Sequence, residues 1–259
     1  MDRQVRPLGE QIKHWRQQRR LSQMELALGA EISTRHLSFV ETGRAQPSRE
    51  MVLLLAEHLD VPLRERNAML LGAGYAPVYS ERPLDDPQLA PARRAVELVL
   101  KGHEPFPALA VDRHWHMIAA NAAVAPLLEG VAGHLLEGHV NVLRLSLHPD
   151  GLAPRILNLG EWRGHLLDRL RRQAWLTSDP VLAALLDELC GYPSVEGAGQ
   201  VDGFGEVVVP LRLQSSLGEL RLFSTTTVFG TPRDVTLDEL AIEAFFPADA
   251  ATLERLGAR

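Results

Sequence analysis

Between Ser22 and Arg44 the chain reads SQMELALGAEISTRHLSFVETGR, which starts and stops two short helices in quick succession. Ser22 and Glu25 form a Ser-x-x-Glu capping box, which satisfies two orphan backbone N–H groups reciprocally. The first helix runs only to about Ala30, because Gly29 weakens its last turn. Ser33 is placed to cap a second helix from Thr34 to about Thr42, with Gly43 as the glycine just past its end. Two short helices joined by so tight a turn make a helix-turn-helix layout. In such a layout the second helix enters the major groove and offers its N-terminal side chains to base edges.

The apolar pattern agrees with that layout. Leu26, Ala27, Ile32, Leu37 and Val40 can form one buried seam. This leaves Ser33, Thr34, Arg35, Ser38 and Phe39 as candidate DNA contacts on the second helix and its cap. Arginine grips guanine O6 and N7 as a fork, hydroxyls bond bases or phosphates, and an aromatic edge touches a thymine methyl. Gln23 opens the first helix and is placed to bond a phosphate beside that helix's terminal amides, with Arg44 as a second phosphate contact.

On the Ser-Gln-x-Glu-Leu-Ala opening at Ser22–Ala27 and the Glu-x-Gly-Arg close at Glu41–Arg44, residues 8–76 resemble the Xre-type (lambda-repressor-like) helix-turn-helix family. The resemblance implies a five-helix, all-α DNA-binding domain. The residues around the motif supply the other helices. Leu8, Ile12 and Trp15 mark the buried stripe of a first helix, with Lys13, Arg16, Arg19 and Arg20 around it as a solvated or phosphate-facing edge. Ser48 caps a helix carrying Met51, Leu54, Leu55 and Leu59, and Pro62 opens the next.

Charge at first argues against DNA, since the net charge is −6. Its distribution reverses the argument: residues 1–49 hold nine Lys/Arg against five Asp/Glu, a balance of +4, which leaves −10 on the other 210 residues. A basic end on an acidic body is what a chain shows when only one end meets phosphate. The 259 residues suffice for two domains, and one cysteine, Cys190, excludes an intramolecular disulfide and fits a reducing cytosol. No apolar run is long enough for a membrane span and the N-terminus lacks a signal-peptide core, so the expectation is a cytoplasmic protein without membrane contact.

Residues 76–92 contain four prolines and read as a linker, followed by a connecting helix at about Pro91–Lys101. From Phe106 the pattern becomes a short strand, a turn at Asp112–His114, a second strand and a helix begun by Asn121, the opening of a PAS-like fold. The middle is mostly helical, with Leu166, Leu167, Leu170 and Trp175 as one buried face and Arg169, Arg171 and Arg172 as a solvated basic run. Ser178 or Asp179 caps a helix with Pro180 at its first position, and Cys190 near its end is expected as a small buried hydrophobe. Asp202–Gly205 reads as a loop, and from Val207 two strands form a hairpin turning at Ser215–Gly218. Thr236 and Glu239 form another capping box, predicting a final helix around Leu240–Phe246.

On PALAVDRHW, NVLRLSLHP and FSTTTVFGTPRDVTLDELAIEAFFPAD, residues about 104–256 resemble the ligand-binding domain of MmyB-like actinobacterial regulators. That resemblance implies a PAS-like pocket for a fatty-acid-like ligand. Within it, Trp115, Met117, Phe223 and Phe229 are candidates for an apolar wall, and Asn121, Arg144, Thr225 and Thr227 for a head-group site. His114 and His116 alternate along a strand and could chelate a metal, but spacing supplies no third ligand, so no metal is expected. No nucleophile elbow, phosphate loop or metalloprotease motif occurs, and no catalytic constellation or cofactor is expected beyond the apolar ligand.

The sequence therefore predicts an α+β chain of two domains. Residues 1–76 form the helix-turn-helix domain, 77–103 a linker and connecting helix, and 104–259 a PAS-like antiparallel sheet domain with inserted helices. The expected function is a homodimeric regulator that binds a two-fold DNA operator under control of a small apolar ligand. The rivals are a constitutive DNA-binding protein whose second domain only dimerises or docks a partner, and an enzyme with a regulatory head.

Overall fold

A computed structural model of the protein describes residues 6–193 and 209–257. Its contacts divide the chain into two units: residues up to Pro83 together with Thr231–Asp238, and Leu84–Gly230 together with the residues from Glu239 onward. The Asp202–Gly205 loop and the strand start at Val207 lie outside the described residues.

The first unit holds α1 (Leu8–Gln18), α2 (Gln23–Gly29), α3 (Thr34–Glu41), α4 (Arg49–His58) and α5 (Leu63–Gly72). The Ser22 capping box forms as read, and Ser33 and Ser48 each accept a backbone N–H at the starts of α3 and α4. Helix ends close by paired back-bonds. After α2, Glu31 N–H donates to Leu28 O at 3.2 Å and Ile32 N–H to Ala27 O at 2.9 Å, which is a Schellman motif. The left-handed residue in it is Glu31, at φ 53°, where glycine is commoner. After α3 the same motif uses Gly43, at φ 70°. Leu8, Ile12, Trp15, Leu26, Ala27, Leu37, Val40, Leu55 and Leu59 are buried together, so the predicted seam is the core.

Two features draw α1 onto α3. A side chain at Gly9 would collide with the Glu41 carbonyl oxygen, so only glycine permits that approach. Arg16, expected on a solvated edge, is instead buried and grips Glu41 with Nε–Oε1 at 2.6 Å and Nη2–Oε2 at 2.9 Å. Arg19 likewise turns inward, donating to the carbonyls of Leu59 and Asp60 at the end of α4.

The second unit begins with α6 (Ala90–Gly102), β1 (Ala108–Val111) and β2 (Met117–Ala120). It continues with α7 (Val142–Leu147), α8 (Leu159–Thr177), α9 (Pro180–Cys190), β3 (Leu211–Ser215) and β4 (Gly218–Val228). After α10 (Val235–Asp238), which belongs to the first unit, come β5 (Ala241–Pro247) and α11 (Ala250–Gly257). Among the described residues the strands form one antiparallel sheet in the order β2-β1-β5-β4-β3. An α+β chain, all-helical first and sheet-based after, is what the sequence predicted.

The sheet is covered on both faces. Ala108, Ala110, Ile242 and Ala244 pack with Val96 and Leu100 of α6. On the other face Leu109, Val111, Leu211, Leu213, Leu220 and Leu222 meet Leu166, Leu170, Leu182 and Leu189 of α8 and α9. In the first unit, Arg82 Nη1 pairs with Asp234 Oδ2 at 2.8 Å, Thr236 Oγ1 donates to Arg82 O at 2.6 Å, and Leu63 N–H donates to Asp238 Oδ2 at 3.3 Å.

Several expectations change. The helix expected around Leu240–Phe246 is a strand, Ala241–Pro247: the helix opened there is only the turn Val235–Asp238, held by Asp234 Oδ1 accepting Thr236 N–H at 3.0 Å. AIEAFF fits either period, and pairing with β1 on one side and β4 on the other decides for β. Asn121 precedes a 3-10 segment, Ala122–Leu128, and its side chain does not cap it. Trp175 is half exposed, Trp162 taking the buried place, and Cys190 is exposed. No helix among the described residues is long and apolar enough to cross a membrane.

Removing one member of a buried, bidentate ion pair strands the other charge. Glu41→Ala should therefore destabilise the first unit by about 3–5 kcal/mol. The measurement is amide hydrogen exchange at Leu37 and Val40, which should speed up markedly while amides of β1 and β5 stay protected.

Candidate DNA-binding face and ligand cavity

On α3 the polar flank is outward. Thr34 and Arg35 are exposed, Ser38 and Phe39 half-buried, and Arg44 is exposed just beyond the helix. The Arg35 guanidinium lies over the Phe39 ring at 5.4 Å, a cation–π contact that steadies a long side chain without occupying its N–H groups. Ser33 Oγ accepts His36 N–H at 3.1 Å, which leaves its own proton to donate outward.

Gln23 is not simply solvated. Its Nε2 donates to Glu41 Oε2 at 2.7 Å, so Arg16, Glu41 and Gln23 form one network tying α1, α2 and α3. The hydrogen bond to Glu41 holds the Arg16 guanidinium above its ordinary pKa, against the opposing effect of burial. Glu41 is the residue sequence reading undervalued: it was legible as part of the motif's close, but its pairing with Arg16, 25 residues away, was not.

In the second unit, between the sheet and α7–α8, lies a cavity of about 90 Å³. Trp115 and Met117 line it as expected, with Leu127, Leu143, Leu166 and Phe245 completing much of the apolar wall. The other expected residues lie elsewhere. Phe223 stacks on Phe246, ring centroids 5.4 Å apart, and Phe229 packs on the α6 side of the sheet. Thr225 and Thr227 are exposed. Arg144 is spent on a bidentate pair with Glu188, at 2.8 and 2.7 Å. Asn121 is a buried structural clamp: Oδ1 accepts Ala108 N–H, and Nδ2 donates to the carbonyls of Leu100 and Phe106.

The polar corner of the cavity is made by residues that the sequence reading did not choose. Arg169 of α8 meets Glu243 of β5 through Nη1–Oε2 at 2.9 Å and Nη2–Oε1 at 2.5 Å. Thr226 Oγ1 accepts from Arg169 at 2.8 Å and donates to Glu243 at 3.0 Å. The guanidinium also covers the Trp115 ring at 4.5 Å, and Trp115 Nε1 donates to Gln173 at 2.8 Å. Arg169 was expected in a solvated run, yet it follows buried Leu166 by three positions on the same helix face. Glu243 was hidden by the helical reading of its segment; read as a strand, it shares a face with Phe245.

Glu243 is only 4% exposed, so its pair is a desolvated one. Glu243→Gln keeps the shape and leaves Arg169 without its counter-charge. It should cost the second unit about 3–5 kcal/mol, seen in urea unfolding followed by tryptophan fluorescence. A loss below about 1 kcal/mol would mean that the pair behaves as a solvated one.

Comparison with known families agrees with both halves of the geometry. A helix-turn-helix domain matches residues 7–69, and the MmyB-like transcription regulator ligand binding domain matches residues 92–258. No curated protein matches the chain. Because the second match spans more than half of the sequence, the chain belongs to the MmyB-like transcription regulators, in which a DNA-binding helix-turn-helix domain is joined to a ligand-binding domain.

Proposed function

We propose that the protein is a one-component regulator whose DNA affinity is set by an apolar, acyl-like molecule held in the sheet-domain cavity. What carries the reading is the cavity itself, an apolar enclosure with one buried ion pair at its corner. An aliphatic chain would lie along Trp115, Met117, Leu143 and Phe245. The Arg169–Glu243 pair offers both donors and acceptors to a polar head.

Volume shapes the mechanism. Pockets for such ligands occupy roughly 300–1,000 Å³, and this one is about 90 Å³. An acyl ligand therefore binds a wider arrangement of the domain, and its preference for that arrangement is the free energy available for control. The cavity residues Ser224 and Glu243 lie on β4 and β5. The chain joining those strands, Thr231–Asp238, packs within the first unit. That continuity supports linkage between cavity width and the placing of α3. A homodimer on a two-fold operator follows from what a single small head needs to gain specificity.

At the DNA end, Arg35 reads a base, and Ser33, Thr34, Ser38, Phe39, Gln23 and Arg44 position the helix. Arg35→Ala should weaken operator binding by about 1–3 kcal/mol per contact and relax preference at one position of each half-site. An electrophoretic titration showing unchanged affinity and preference removes Arg35 from the interface.

The small cavity also favours a second reading, in which the domain binds no ligand and only docks or dimerises. Native mass spectrometry separates the two. The regulator reading expects co-purified lipid, or a melting temperature that rises with added fatty acid. Neither effect, with operator binding unchanged by fatty acid, favours the docking domain.

A further inference from the structure

The turn between β1 and β2 reads Asp112-Arg-His-Trp-His116, and folding gathers its titratable side chains. One carboxylate oxygen of Asp112 and one ring nitrogen each of His114 and His116 lie within 4.8 Å of one another. Sequence spacing offered two histidines and no third ligand; the third is Asp112, which the turn brings round. We propose that Asp112, His114 and His116 form a binding site for a divalent first-row transition ion of the zinc type. This goes beyond the regulator reading and does not depend on it.

The donors are held in place by the fold. Asp112 Oδ1 accepts the backbone N–H groups of His114 and His116, both at 2.8 Å, while Oδ2 stands 3.0 Å from His116 Nδ1. His114 Nε2 lies 3.0 Å from Asp179 Oδ2. A carboxylate on one ring nitrogen is the usual device that aims the other nitrogen at a metal. Arg113 also reaches Asp179, at 3.5 Å, which fits Asp179 as an orienting partner and not as a ligand. Asn141 Nδ2 donates to His114 O at 2.8 Å and pins the turn from outside. Between the two histidines Trp115 adopts φ 67°, a left-handed conformation that costs a bulky residue energy.

Distance and chemistry agree with a small, borderline ion. Zinc–ligand bonds of about 2.0–2.1 Å place neighbouring ligands about 3.3 Å apart. Asp112 Oδ2 and His116 Nδ1 are already at 3.0 Å, and a ring nitrogen of His114 lies within 4.8 Å of the other donors. With three protein donors, the fourth position falls to water. Two imidazoles and one carboxylate suit zinc, nickel or copper and not calcium or magnesium. A bound ion would fix the turn that delivers Trp115 to the cavity wall.

A second cluster, His134, His148 and Asp150, serves as the internal control. There His148 Nδ1 accepts the Asp150 N–H, and His134 and Asp150 are exposed. The experiment is calorimetric titration of chelator-stripped full-length protein with zinc chloride, together with the visible spectrum of the cobalt(II) form. The expected result is one zinc per chain and a four-coordinate cobalt spectrum. Asp112→Asn and His114→Ala should each weaken zinc binding at least about tenfold. His116→Gln should do the same while retaining a side-chain N–H for Asp112, so its melting temperature reports whether the turn still folds. His134→Ala/His148→Ala should change nothing. Absence of zinc binding, a six-coordinate water-like cobalt spectrum, or affinity lost only in His134→Ala/His148→Ala would each overturn the site.

Discussion

Everything in the second unit depends on β5 being the middle strand of the sheet. It pairs with β1 from Ala241 to Ala244 and with β4 along its whole length, so its backbone polar groups are used on both sides and its register is fixed. Strict alternation then follows. Ile242, Ala244 and Phe246 face α6, while Ala241, Glu243 and Phe245 face α8. A one-residue slip would send a carboxylate into the packing against α6 and an isoleucine toward Arg169. The ion pair at the corner of the cavity is thus a consequence of strand register, and it ties sheet to helix where hydrophobic packing alone would leave α8 free to slide.

The first unit has its own fixed point in Glu41. Gly9 lets α1 approach until backbone meets backbone, and Arg16 then reaches a carboxylate that also receives Gln23. Because one side chain on α3 is held from α1 and α2 together, the outer flank carrying Arg35 and Ser38 is presented by a rigid support. The division of labour is physical: residues that pair inward give α3 its orientation, and Thr34 and Arg35 stay exposed on its outer flank.

Legibility followed sequence separation. The caps at Ser22, Ser33, Ser48 and Asp179, the turn, the apolar seam and the β3–β4 hairpin were all readable, because each depends on residues a few positions apart. The cavity wall was half readable: Trp115 and Met117 lie on it, but Phe223, Thr225, Thr227 and Phe229 do not. For Phe223, Thr225 and Thr227 the strand was right and the face was wrong, while Phe229 lies just past the end of β4. Facing is settled by which helix covers which side, and α6 and α8 claim opposite sides from distant points in the chain. Arg144 failed differently: Glu188, 44 residues on, is an ordinary surface partner that engages it completely.

By itself the sequence determined that a capped helix pair lies within residues 1–49, that this stretch carries a charge opposite to that of the rest, and that both strands and helices follow it. These follow from short-range sterics, hydrogen bonding and composition. Tertiary structure alone decided that Ala241–Pro247 is a strand, that Arg16 and Arg169 turn inward, and that Asp112 joins His114 and His116 around one turn. The reason is common to all of them. A segment with two compatible periods, or a charge with no local partner, takes whatever the rest of the chain places beside it, and desolvation makes that choice too costly to reverse.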